Sequence, residues 1–188
     1  ITEGTELNNT WRKRMDDIAV YLQYLEDKRV VVMFRPFHEM NQGLFWWAGR
    51  KGENGTAELY RQTHDYFENE KGLTNLIWVW DMQDLSRDFE AYKPGDDYWD
   101  VFAFDIYDSG YDKSWYDYIL TIVGEKPIAI GECMKLPAGQ LLDEQPRWTF
   151  FMPWAELVKE HNSESDIRAI YSHPRVLSLD ALPGWDRQ

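Results

Sequence analysis

The 188 residues predict an α/β fold built on a parallel sheet. Two observations carry this. Short apolar runs alternate with stretches of helical period, and strands joined through helices run parallel. Acidic side chains also collect where those runs end, at Glu39, Asp81, Asp105 and Glu132. Parallel α/β enzymes place their chemistry at the carboxyl ends of their strands.

The elements follow in order. Asn9 or Thr10 can cap a first helix, with Trp11, Met15, Ile18, Leu22 and Leu25 on one face. Val30–Phe34 is a continuous apolar run, as expected of a strand buried on both faces. A glycine-rich loop, 43–55, precedes a helix over 56–69 that turns Leu59, Tyr66 and Phe67 inward. Leu76–Trp80 reads as the second strand, ending at Asp81. The stretch 84–97 is loop with room for one helical turn, and Pro94-Gly95-Asp96-Asp97 is a turn signal. Val101–Phe104 is the third strand. Ser114-x-x-Asp117 looks like a capping box that opens a helix with Trp115, Tyr118, Ile119 and Ile122 inward. Pro127–Gly131 is the fourth strand, ending at Glu132. Trp148–Trp154 is a fifth strand-like run, and 167–171 a last helical piece.

Composition narrows the partners. The length suits one domain, and 44% apolar residues mark it as globular. A net charge of −13 repels phosphate backbones and anionic lipids, so neither nucleic acid nor a membrane surface is an expected partner. No apolar run is long enough to span a bilayer. Cys133 stands alone, which excludes an intrachain disulfide. The histidines at 38, 64, 161 and 173 show no ligand spacing, so no metal and no cofactor is implied. No leader is legible, and a chain opening on Ile1 rather than Met leaves room for a segment upstream.

The richest stretch is 35–47. The first strand runs into Arg35, His38, Glu39 and Asn41, then Trp46 and Trp47. A carboxylate beside an imidazole, hydrogen-bonding side chains and flat rings suit chemistry on a sugar. Trp80, at the end of the second strand, is a further candidate platform. The competing reading makes His38 and Glu39 a satisfied polar cap. Glu39 and Glu132 both terminate strands, with two strands between them. Acetal hydrolysis needs such a pair: one carboxylic acid protonates the leaving oxygen, and the other attacks carbon or activates water. In the retaining version the carboxyl groups stand about 5–5.5 Å apart. Arg35 and Tyr107 can hydrogen-bond a carboxylate and keep Glu132 ionised. The acid belongs in the drier, aromatic setting that Trp46 and Trp47 provide around Glu39.

Four segments, Arg35-Pro36-Phe37-His38-Glu39-Met40-Asn41, Phe45-Trp46-Trp47, Phe104-Asp105-Ile106-Tyr107 and Ile130-Gly131-Glu132, resemble glycoside hydrolase family 26, mainly β-mannanases. The resemblance runs from about Thr10 to Pro183. It implies a (β/α)8 TIM barrel, retention of anomeric configuration, an acid/base closing strand four and a nucleophile closing strand seven. On this chain those are Glu39 and Glu132. It further implies that His38 contacts the sugar at the cleavage site, Tyr107 hydrogen-bonds the nucleophile, Asp105 supports that site, and Trp154 is a platform at the end of strand eight. Leu44 stands where many members carry tryptophan. The resemblance also implies a secreted, periplasmic or cell-surface enzyme.

A whole barrel needs upwards of about 200 residues. Residues 1–188 therefore read as the C-terminal portion of one catalytic domain, strands four to eight as a partial parallel barrel. The remainder of the barrel is expected from the N-terminal part of the same protein, with the strands from Val30 and Trp148 at the sheet edges. The expected activity is retaining endo-β-1,4-mannanase, acting on β-mannan, galactomannan or glucomannan. The alternatives are a mixed-linkage β-glucanase or β-1,3-xylanase of the same family, or a non-catalytic carbohydrate-binding protein. The last has no need of two supported glutamates at strand ends.

Overall fold

The computed structural model describes residues 2–184. The chain forms two compact units, one up to Ala103 and the other from Phe104. The boundary falls inside a strand.

The first unit opens with helix α1, Glu6–Asp27, which starts earlier than expected because Thr5 caps it and accepts the Asn8 N–H at 3.2 Å. Its far end explains why the next strand is short. Arg29 takes a left-handed φ of 59°, its N–H reaches the Glu26 carbonyl, and the Val30 N–H reaches the Leu25 carbonyl. This is a Schellman closure without glycine. Val30 is thus used by the helix end, and strand β1 forms only over Val32–Phe34.

β1 pairs in parallel with strand β2, Leu76–Gln83, in the register Val32↔Leu76 to Phe34↔Trp78. Strand β3, Val101–Ile106, follows in the order. β1 is the edge of this unit's series, as expected. It is not buried on both faces, however: Val31 is 62% and Met33 48% exposed. A parallel strand needs cover on each face, and this one lacks it among the described residues.

Helix α2, Thr56–Asp65, continues into a π turn over Tyr66–Glu70 that keeps Tyr66 and Phe67 buried. These elements close on Trp78 at the middle of β2. Phe34 meets its ring edge-on at 5.2 Å, with Tyr60 at 5.8 Å and Phe67 at 6.4 Å. Its indole N–H donates to Glu68 at 2.7 Å, and its backbone N–H donates to the Asp100 carboxylate at 2.8 Å. The fit is polar and apolar at once.

The second unit carries the end of β3, then strands β4, Ile128–Cys133, and β5, Trp148–Pro153, with β5 at the edge of its series. Helix α3, Lys113–Val123, links β3 to β4. Its cap is Asp112, which accepts the Ser114 N–H at 2.7 Å, rather than the box at Ser114. Ile119 and Ile122 face inward as expected, joined by Tyr116 and Val123. Every residue of β4 is buried, as a parallel strand covered on both faces must be.

β4 and β5 pair in parallel with register shifts on either side of Ile130. Such irregularities re-aim side chains at strand ends. Helices α4, Gly139–Glu144, and α5, Ala155–His161, were not legible in the sequence, and neither has a side-chain N-cap. Helix α6, Glu164–Tyr171, begins at a Ser163–Asp166 capping box and is longer than its expected last turn. It packs Ile170 against Leu136 and Leu142. No helix among the described residues is long and apolar enough to cross a membrane.

Trp78→Ala should cost about 3–5 kcal/mol of unfolding free energy, the range for deleting a large buried aromatic. Urea unfolding of the protein containing this segment measures it. A loss below about 1 kcal/mol would mean the cluster can collapse around the gap.

Candidate active site

In the first unit the chain leaves β1 and turns sharply. Phe37 and Glu39 both adopt left-handed backbone, with φ of 54° and 52°. Such conformations cost a residue with a Cβ roughly 1–2 kcal/mol each, so something must hold them. Asp81, whose side chain is fully buried in β2, does so. One carboxylate oxygen accepts the Glu39 N–H at 2.6 Å, the other accepts the Arg35 guanidinium at 2.8 Å, and its carbonyl accepts the Met40 N–H at 3.3 Å. Two residues on, the Asn41 amide donates to the Gln83 carbonyl at 2.8 Å and accepts its N–H at 2.9 Å. The segment after β1 is thereby stitched along the end of β2.

Glu39 is 6% exposed. Its carboxylate accepts a close hydrogen bond from the side-chain amide of Gln42, whose own oxygen accepts the Leu44 N–H at 2.7 Å. Beside it stands an aromatic wall. Phe45 and Trp47 stack at 4.6 Å, His38 lies 4.6 Å from Phe45, and the Trp47 indole donates to the His38 carbonyl at 3.0 Å. Trp46 and Leu44 project outward, 63% and 80% exposed.

The second unit holds the other strand-end glutamate. Glu132 is 4% exposed at the end of β4. One of its oxygens, Oε2, accepts the Tyr107 hydroxyl at 2.6 Å and the Trp154 indole N–H at 2.8 Å. Two donors to a carboxylate favour its ionised form. The Trp154 N–H bonds the Cys133 carbonyl at 3.1 Å, which seats the ring beside Glu132. Asp105 lies buried in β3.

The expected residues divide accordingly. Arg35, His38, Glu39, Asn41, Trp46 and Trp47 gather in the first unit, and Asp105, Tyr107, Glu132 and Trp154 in the second. Two placements differ from the sequence reading. Trp80 has no exposed surface and packs between Trp99 and Phe102, at 5.3 and 5.0 Å, so it is a core side chain rather than a platform. The Asn41 amide is engaged by the β2 backbone. Arg35 pairs with Asp81, a partner that contiguous sequence does not announce. Two residues went unnamed as site members. Asp81 carried a signal, being a carboxylate at a strand end. Gln42 carried none, since nothing in a lone glutamine announces its partner.

Parallel strands, helices between them and carboxylates at the strand ends are the marks of the (β/α)8 class. Residues 2–181 match the sequence profile of Glycosyl hydrolase family 26, and the chain belongs to that family. A mannan endo-1,4-β-mannosidase of Thermothelomyces thermophilus is 36% identical over 91% of this chain, which covers 36% of the fungal protein. A Bacillus subtilis mannan endo-1,4-β-mannosidase is 34% identical over 76% of this chain, covering 44% of that protein.

Among solved structures, GH26A from Muricauda sp. superposes with a TM-score of 0.93 at 35% identity, over 97% of this chain and 62% of its own. A β-mannanase from a symbiotic protist of the termite Reticulitermes speratus, complexed with a gluco-manno-oligosaccharide, gives 0.85 at 34% identity, over 98% of this chain and 58% of its own. The fold is that of these family-26 enzymes. The chain spans about a third to under half the length of those two curated relatives.

Cys133, the residue after Glu132, is fully buried. Burial pushes its thiol up to about 11, with the Tyr111 hydroxyl offsetting this in part and the Glu132 charge adding to it. The neutral thiol is therefore favoured in the folded state. That contribution is complete below the ordinary thiol range and lost as pH rises through about 11. Native protein should resist iodoacetamide at pH 8 and take up one label per Cys133 after denaturation, read by mass spectrometry. Rapid labelling of the native protein would contradict the burial.

Proposed function

We propose that the protein carrying this chain is a retaining endo-β-1,4-mannanase in which Glu39 is the acid/base and Glu132 the nucleophile. The observation that carries the reading is the pair of donors on Glu132, a buried carboxylate at a strand end, since such donors favour the ionised form that a nucleophile needs. Family membership and curated relatives named as mannan endo-1,4-β-mannosidases support the substrate class.

In the first step Glu39 gives its proton to the glycosidic oxygen while Glu132 attacks the anomeric carbon. The aglycone leaves and a glycosyl ester forms on Glu132. In the second, ionised Glu39 takes a proton from water, whose oxygen attacks the same carbon and releases Glu132. Two inversions give net retention. His38, held by Phe45 and Trp47, offers a ring nitrogen to a sugar hydroxyl beside the scissile bond. Trp46 and Trp154 offer partly exposed ring surface for stacking.

The strands that complete the barrel belong to the N-terminal part of the same protein, a reading supported by the uncovered face of β1. A polymer substrate too large to enter a cell places the enzyme outside the cytoplasm, secreted, periplasmic or at the cell surface.

In the full-length enzyme, Glu132→Ala should abolish the covalent intermediate. Glu39→Ala should reduce mannan cleavage by about 10²–10⁴-fold, and far less the cleavage of an aryl glycoside whose leaving group needs no proton. Mass spectrometry of the trapped intermediate and NMR of the product anomer check both roles. An inverted product would remove Glu132 as nucleophile.

Leu44 presents a small apolar side chain where an indole would cover more of a sugar ring. Leu44→Trp should lower KM for mannotetraose several-fold with little change in kcat. Unaltered oligosaccharide kinetics would show that this exposed position does not meet the substrate.

A further inference from the structure

We propose that Gln42 is a positioning residue that orients the Glu39 carboxyl and assigns its transferable proton to Oε1. The proposal rests on the reading of Glu39 as acid/base.

The orientation of the Gln42 amide is decided by its surroundings. Its oxygen accepts the Leu44 N–H at 2.7 Å. Turning the amide over would set its NH2 against that N–H and leave a backbone donor unpaired. The nitrogen must therefore face Glu39 Oε2, where it donates. The glutamine backbone is held as well. Its N–H bonds the Glu39 carbonyl at 3.1 Å, and Gly49 passes beneath its carbonyl so closely that a Cβ there would lie 2.8 Å from the oxygen. Gly49 has a φ of +71°, a conformation that itself favours glycine.

Glu39 is thus held from two directions. Asp81 fixes its backbone in the left-handed region, and Gln42 fixes its carboxyl. With an N–H donor on Oε2, a proton on that same oxygen would oppose the donor. The Gln42 donor therefore favours the acid proton on Oε1, leaving Oε2 as the better acceptor. As Glu39 gives that proton to the glycosidic oxygen, negative charge develops on the carboxylate and the hydrogen bond to Oε2 becomes charge-assisted. Gln42 then stabilises Glu39 more after proton transfer than before, which is the direction catalysis requires. In the second step Oε1 takes the proton from water, and the cycle closes with Gln42 unchanged.

Two substitutions in the full-length enzyme separate this role from simple support of the loop. Gln42→Met removes both hydrogen bonds. Gln42→Glu, at neutral pH, keeps an acceptor for the Leu44 N–H and loses the donor to Glu39. For each variant kcat/KM is measured on mannotetraose and on 2,4-dinitrophenyl β-mannobioside, whose leaving group needs no proton. The ratio of the two is independent of how much enzyme is folded.

Both variants should lose at least tenfold more on mannotetraose than on the aryl glycoside. Equal losses on the two substrates, or a Gln42→Glu variant with the parent's ratio, would overturn the assignment. Glu39→Ala serves as the control. If it shows leaving-group dependence and the Gln42 variants do not, only the Gln42 proposal fails. If Glu39→Ala itself shows none, the acid/base reading fails and the Gln42 assignment fails with it.

Discussion

The surroundings of Glu39 in the first unit depend on one buried carboxylate. Asp81 has no exposed surface, yet its two oxygens and its carbonyl take hydrogen bonds from Arg35, Glu39 and Met40. A buried charge of this kind is tolerable only when paired and fully engaged. In return it holds a turn that two non-glycine residues, Phe37 and Glu39, would not adopt by preference. The aromatic wall follows from the turn. Once the backbone at His38 is placed, its carbonyl can receive the Trp47 indole, and the imidazole lies against Phe45 and Trp47. Loss of the Asp81 anchor would release the geometry of the glutamate and of its neighbours together.

The second unit holds Glu132 by different means. Glu132 lies within β4 without a left-handed backbone, and its surroundings are set by register. The irregular pairing between β4 and β5 spans Ile130–Cys133, and Trp154, the residue after its last pair Cys133↔Pro153, turns its indole onto the carboxylate. One glutamate is therefore met by an amide and the other by a phenol and an indole. Both glutamates are buried, and two donors meet on one oxygen of Glu132.

Much of this was legible beforehand, for reasons that can be named. β2, β3 and β4 were read correctly because continuous apolar runs bounded by turns have few other uses. Their ends were placed short, since Asp81, Asp105 and Glu132 read as terminators although each continues its strand. The caps were misplaced for a related reason. Thr5 and Asp112 cap their helices, and sequence cannot say which of several nearby Thr, Ser, Asp or Asn residues turns its side chain back. Trp80 was misjudged because a strand-end indole looks alike whether it faces solvent or, as here, Trp99 and Phe102.

By itself the sequence determined the α/β class, the identity of the two strand-end glutamates and the aromatic residues near the first of them. These follow from hydrophobic period and from motifs contiguous along the chain. Only the tertiary structure decided what each polar group touches. Asp81 lies 42 residues from the amide it holds and Trp154 lies 22 from its carboxylate. Gln42 is three residues from Glu39, yet its orientation is set by Leu44 and its backbone is pressed by Gly49. Hydrogen bonds are short and directional, so partnership is settled by position in space. A linear pattern records which groups are present, and folding chooses among their many possible pairings.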